Sequence, residues 1–89
     1  MKAIFQTSQF KKDFKRIKKR GKDLSRIKEV VSAIVNGKGL EERHRDHSLS
    51  GNWSGSRDCH IEPDWILIYR VDEDYLFFER TGSHSALFR

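Results

Sequence analysis

Five consecutive apolar residues, Trp65-Ile66-Leu67-Ile68-Tyr69, constrain the fold of this chain more than any other stretch. A run so short and apolar on both faces predicts a strand covered on both sides. Glu62-Pro63-Asp64 separates it from an alternating run, Arg57 to Ile61, in which Cys59 and Ile61 interleave with Asp58 and His60. Pro63 has no N–H to offer a strand ladder, so it belongs to a turn. On the other side Asp72-Glu73-Asp74 turns the chain into a last run, Tyr75–Thr81, which Gly82-Ser83 releases into a C-terminal segment. Strands joined by turns this short form an antiparallel meander with the apolar run at its centre.

The chain before the meander is helical in pattern. Ala3-Ile4-Phe5 reads as a brief strand within residues 2–6, and Thr7-Ser8 as a helix start. Phe10, Phe14 and Ile17 make one apolar stripe, and Gly21 ends that helix. Leu24, Ile27, Val31 and Ile34, widened by Val30 and Val35, make a second stripe that starts at Asp23 or Ser25 and stops at Asn36-Gly37. The short connection predicts an antiparallel helical hairpin, and both stripes read as core that a sheet must cover. The fold class expected is α+β: a single small domain over residues 1–89, with a short N-terminal strand and a helical hairpin packed on a mostly antiparallel sheet. Residues 38–56 read as a loop with one short turn around Leu40–His44; ordered loops of that length often carry function. Gly51 and Gly55 would permit tight turns or close approach to a ligand there.

Eighty-nine residues suffice for one modest core. The net charge of +5 is unevenly spread. Residues 1–45 hold 14 Lys and Arg against five Asp and Glu, whereas residues 46–89 hold four against eight. The helical half is the electropositive one, which favours a polyanion as partner. Cys59 is the only cysteine, so no intrachain disulfide can form, and it reads as a small buried apolar residue. Nowhere do 18 apolar residues run together and no cleavage-site pattern opens the chain, so the expectation is a cytoplasmic protein without a membrane partner.

The meander also makes a geometric prediction. The strand that ends at His60 and the one that begins at Asp64 meet at one end of the sheet, and the last strand finishes at that end, which delivers His84 there. Alternation puts Asp58 on the face of His60. His47 lies thirteen residues before His60, a span that can double back. His44, among Glu41, Glu42, Arg43 and Arg45, reads as a surface residue. Several imidazoles in one cleft suit chemistry that needs a proton acceptor and a proton donor near neutral pH. RNA cleavage is such chemistry: the 2′-OH loses a proton, the 5′-oxygen gains one, and cations such as Arg57 or Arg80 hold the phosphoryl charge. The plainer readings are that Arg80 pairs with Glu79 or Asp58, that Asp64 is a turn residue, and that Trp53, Trp65 and Phe88 are core. Three histidines and an aspartate could also bind zinc, but their spacing matches no standard motif, so neither metal nor cofactor is expected.

Three strings carry a family resemblance. D-H-x-L-x-G-x-W at 46–53, R-D-x-H-I-x-P-D-W at 57–65 and R-x-G-x-H-x-x-L-F at 80–88 resemble the YafQ-type toxins of bacterial toxin–antitoxin modules, within the RelE/ParE superfamily. The resemblance implies a RelE-like fold and a metal-independent endoribonuclease that cuts mRNA in the ribosomal A site, its basic helices gripping ribosomal RNA. It also implies a cognate antitoxin that holds the toxin inactive and through which the pair binds operator DNA. The implied catalytic set is His47, His60, Asp64 and His84, with His84 as proton donor and either His47 or His60 as base. The expected substrate side is Asp58, Arg57, Arg80, Trp65 and Phe88. Ser54 and Ser56 depart from the pattern, in which a basic and an aromatic residue occur. A ParE-like toxin that occupies a protein target such as DNA gyrase would share the scaffold without needing this histidine set.

Overall fold

Thr7 starts the first helix. Its extended backbone and its hydroxyl, which accepts from the Phe10 N–H at 3.0 Å, cap helix α1, Ser8–Lys19. Lys18 and Ile17 carbonyls then accept from Gly21 and Lys22, closing the helix with Gly21 at φ 75°. Such a left-handed residue suits glycine. Asp23 caps the second helix, α2, Leu24–Val35, by accepting from the Ser25 N–H, and Gly37 at φ 68° ends it in the same manner. The structure, a computed structural model, describes residues 2–88; Met1 and Arg89, the ends of the expected domain, lie outside the described residues.

Five strands form one sheet: β1 (Ala3–Gln6), β2 (His47–Ser48), β3 (Arg57–Glu62), β4 (Trp65–Val71) and β5 (Tyr75–Gly82), in the order β1-β5-β4-β3-β2. Only β1 runs parallel to its neighbour; the other pairs are antiparallel. A final helical turn, α3 (His84–Leu87), follows β5. The α+β architecture with its closing meander is therefore as expected.

The central strand is buried on both sides for two different reasons. Trp65, Leu67 and Tyr69 join Cys59, Ile61, Leu76 and Phe78 under the helices, where Phe10, Ile17, Ile27 and Val30 cover them. Ile66 and Ile68 face the other way, under Leu87 with Leu49, Trp53 and Phe88. That second cover is thin, made by α3 and the segment before β3, and it leaves the rest of this sheet face open for a site. Two expectations need correction here. The helical stripes are not wholly core: Val35 is exposed, Ile34 is half-buried, and Phe14 and Val31 are half-buried beside an open apolar groove of about 340 Å³. The segment 38–56 is not a loop with one turn; it holds 3-10 turns at Glu42–His44 and Gly51–Trp53 and the two-residue strand β2.

Candidate active site

The open sheet face is where the histidines meet. In β3, Cys59 and Ile61 point to the helices, so Asp58 and His60 stand on the opposite face with Ile66 and Ile68, their register partners in β4. His47 reaches the same face by a route the sequence did not reveal. It lies in β2 directly opposite Asp58, so a strand pairing, not a loop, delivers it. Its Nδ1 sits 2.8 Å from the Arg45 carbonyl and 3.0 Å from Asp58 Oδ1. One ring N–H cannot point along both lines. It donates to the carbonyl, and Asp58 Oδ1 is left buried without a hydrogen bond.

Two carbonyls set the tautomers. A carbonyl only accepts, so the His47 Nδ1 beside Arg45 O and the His60 Nδ1 3.2 Å from Pro63 O each carry a proton. Each neutral ring then offers Nε2 as a proton acceptor. The loop that presents Arg45 O is strained: Arg45 is the one non-glycine among the described residues at positive φ, 47°. Such a conformation costs on the order of 1–3 kcal/mol and persists only where the surroundings enforce it. Here Asp46 enforces it, accepting from Tyr69 Oη at 2.6 Å and from Arg57 Nε at 3.2 Å.

His84 arrives from the far end of β5, as the meander requires. Asp64 Oδ1 accepts its backbone N–H at 3.0 Å, which ties the start of α3 to the β3–β4 turn. The His84 ring packs on Phe88, with centroids 5.0 Å apart. Asp58 is the electrostatic centre of the group. Burial pushes its carboxyl above the usual carboxylate range; His47 and His60 pull it back, Asp46 adds to the rise, and His84 opposes it. Cys59, by contrast, is fully buried on the helix face, and burial pushes its thiol up to about 12, so it is inert.

Three expected substrate contacts are not at this surface. Trp65 is buried on the helix face and its indole N–H donates to Thr81 Oγ1 at 3.0 Å. Arg57 shares the face of Tyr69 and is held by Asp46 and Ser48. Arg80 pairs with neither Glu79 nor Asp58 but with Asp13 of α1, at 2.7 Å. Asp13, removed from water, demands a charged donor, and Arg80 is the guanidinium within reach; Asp46 is only partly covered and meets Arg57 at the sheet edge. His44, expected at the surface, is buried, and its Nδ1 has no partner. Arg70 was not anticipated. It stands two residues beyond Ile68 on the site face, paired with Glu79 at 3.2 Å and lying against Gly55. Ser56 is buried and donates to Glu79 at 2.9 Å. The alternation in β4 could have revealed Arg70; Ser56 was marked only as a departure from the family pattern, which does not reveal its bond to Glu79.

Comparison with known proteins gives this constellation a lineage. A family model described as the bacterial toxin of type II toxin–antitoxin systems, YafQ, matches residues 2–89. The chain belongs to the YafQ family. The mRNA interferase toxin YafQ of Escherichia coli K12 is 46% identical over 83 residues, which span 92% of this chain and 90% of that protein. The E. coli DinJ–YafQ complex contains a chain that superposes with a TM-score of 0.95 at 43% identity, covering 100% of both chains. A toxin from Helicobacter pylori solved with bound metal superposes with a TM-score of 0.90 at 38% identity, covering 99% of this chain and 100% of that one. Among the described residues of this YafQ-family chain, no three His, Cys, Asp or Glu side chains are grouped so that they could hold a metal ion. In the same residues no helix is long and apolar enough to cross a membrane.

Proposed function

We propose that this chain is the toxin of a type II toxin–antitoxin pair and an endoribonuclease that cleaves mRNA in the ribosomal A site by histidine acid–base catalysis. The observations that support the chemistry are that the β3–β4 turn holds His60 through Pro63 O and the start of α3 at His84 through Asp64, while the β2 pairing sets His47 opposite buried Asp58. His47 is the general base. Its Nε2 takes the 2′-OH proton, and the positive charge it gains faces Asp58 Oδ1 3.0 Å from Nδ1, which gives that oxygen the use it lacks at rest. The 2′-oxygen attacks phosphorus, and His84 gives a proton to the departing 5′-oxygen. The products are a 2′,3′-cyclic phosphate and a free 5′-OH. With Arg57 and Arg80 held by carboxylates, His60 in its protonated form supplies charge to a phosphoryl oxygen while Nδ1 still donates to Pro63 O. Asp64 fixes the start of α3, and Phe88 holds the His84 ring. An antitoxin akin to DinJ holds the toxin inactive, the pair binds operator DNA through that antitoxin, and the toxin acts in the cytoplasm, where ribosomes are.

The decisive experiment maps RNA ends on translating ribosomes after brief expression of the protein. Ends at a fixed place within A-site codons are expected; random ends or none would refute the reading. His84→Ala should lower cleavage about 10²–10⁴-fold while folding and antitoxin binding persist. Retained cleavage would remove His84 from its role. A toxin that merely occupied a protein target would stay toxic after replacement of His47, His60 and His84 together.

A further inference from the structure

Next to His60 lies a second cleft, of about 450 Å³, lined by Arg26, Arg43, His44, Arg45 and Glu62 along with His60 and Pro63. Its charge is unbalanced in one particular way. Glu62 is met by Lys22 at 3.3 Å and Arg26 at 3.5 Å, and Arg43 by Glu41 at 2.8 Å and Glu29 at 3.7 Å. Arg45 has no carboxylate partner among the described residues and is exposed. The strained backbone at Arg45 sends its carbonyl to His47, and the same residue lines this neighbouring cleft.

The second observation is independent of charge. Among the described residues two buried side-chain atoms lack a hydrogen-bond partner, Asp58 Oδ1 and His44 Nδ1. The first lies in the catalytic group. The second belongs to a side chain that is only 7% exposed and lines the cleft in question. Buried polar atoms are almost always satisfied, so an orphan in a residue at the wall of a charged cleft calls for a partner that the chain itself does not supply. Arginines and a ring nitrogen together suit an oxyanion.

We propose that this cleft is a second RNA-phosphate subsite, in which Arg45, with Arg43 and His44, holds a phosphodiester near the bond cut beside His60. The proposal rests on the endoribonuclease reading. A bound phosphate there sets the register of the strand across the histidines, and the αL turn at Arg45 couples that grip to the placement of His47. The phosphate belongs to the mRNA or to ribosomal RNA that borders the site; the chemistry recognised is the same.

Arg45→Gln and Arg43→Gln, which remove charge and keep the stem, test it. In single-turnover cleavage on programmed ribosomes, the half-saturating toxin concentration should rise about tenfold for Arg45→Gln, ahead of any fall in the saturating rate. The slope of log affinity against log salt should drop by about 0.7 to 0.9. Unchanged half-saturation and slope would overturn the proposal. Neutral methylphosphonates placed singly along the mRNA separate the sources. A position that costs the wild type the same factor and Arg45→Gln nothing more assigns the mRNA. A defect that every such position leaves in place assigns ribosomal RNA. A 2′-O-methyl oligoribonucleotide, which has no nucleophile and cannot be cut, provides a readout without activity. The imidazole signals of His44 should shift with it in the wild type and not in Arg45→Gln. If the wild type cut no mRNA yet His44 still shifted, the enzyme reading would fall and the subsite would stand; a silent His44 would refute the subsite itself.

Discussion

Asp58 is a residue at which function and stability oppose each other. Its carboxyl is buried and one oxygen is unpaired, so its charged form is disfavoured by the fold. A carboxyl raised above its unfolded value of about 3.8 adds no cost while neutral, and the native state loses stability as pH rises through the raised value. Asp58→Asn should therefore melt at the same temperature or higher at pH 7, by about 0.5–2 kcal/mol, with the advantage gone below about pH 4. The same variant should lose about 10²-fold or more in cleavage, as for a carboxylate that stabilises the imidazolium a base becomes. A destabilised Asn variant, or one with full activity, would contradict this role; calorimetry across pH and single-turnover rates measure the two halves. Asp58 and His60 were legible as a shared face because alternation in β3 is strict. His47 was placed only by resemblance, since a two-residue strand leaves no periodic trace. His44 was misread because its neighbours are charged; the turn that buries it is a property of the chain path.

Among the elements, α1 and β5 are joined by a bond no pattern announces. Asp13 sits among Lys11, Lys12, Lys15 and Arg16, and in sequence it looks like one more solvated charge. It is instead 1% exposed and accepts from Arg80 Nε at 2.7 Å, Arg80 Nη2 at 3.2 Å and the Thr81 N–H at 3.3 Å. Burial alone would raise its carboxyl, yet the bonds from Arg80, Gln9 and Thr81 outweigh burial and hold it below the ordinary value. The stability it brings is thus present above about pH 4 and lost as pH falls through the lowered value. Asp13→Asn should cost about 3 kcal/mol at pH 7, because it leaves a partly buried guanidinium without its counter-charge. Urea melts of wild type and variant should converge as pH drops below about 4; a constant gap would mean the loss is packing and not charge. This clamp also anchors the last turn of β5, from which His84 departs. The meander was readable because turn signals sit between strong strand runs, whereas the clamp depends on 67 residues of separation closing in space.

Across the protein as a body, the charge asymmetry acquires a direction. The basic half of the chain is the helical layer, and the helices cover the sheet face opposite the histidines. Lys12, Lys15 and Lys19 are exposed on α1, and none takes part in an ion pair among the described residues. The substrate face, in contrast, belongs to the half with more acids than bases. The two layers meet at one place, where Arg16 and Arg20 of α1 line a cleft of about 510 Å³ with Asp64, Ser83 and Ser85. On the function proposed above, the exposed lysines of α1 suit ribosomal RNA on the side away from the histidines. Replacing Lys12, Lys15 and Lys19 with Gln should weaken association with ribosomes and flatten its salt dependence by about 0.7–0.9 for each phosphate no longer neutralised. The rate of cleavage at saturating toxin should hold, because no reacting group touches α1. Sedimentation with ribosomes at several salt concentrations, alongside single-turnover rates, distinguishes the outcomes. A salt slope that survives the triple replacement would move the ribosomal contact away from α1. A fall in the saturating rate with the slope intact would mean that the helix works through the Asp13–Arg80 clamp on the placement of His84, since that clamp bonds α1 directly to the end of β5 from which His84 departs.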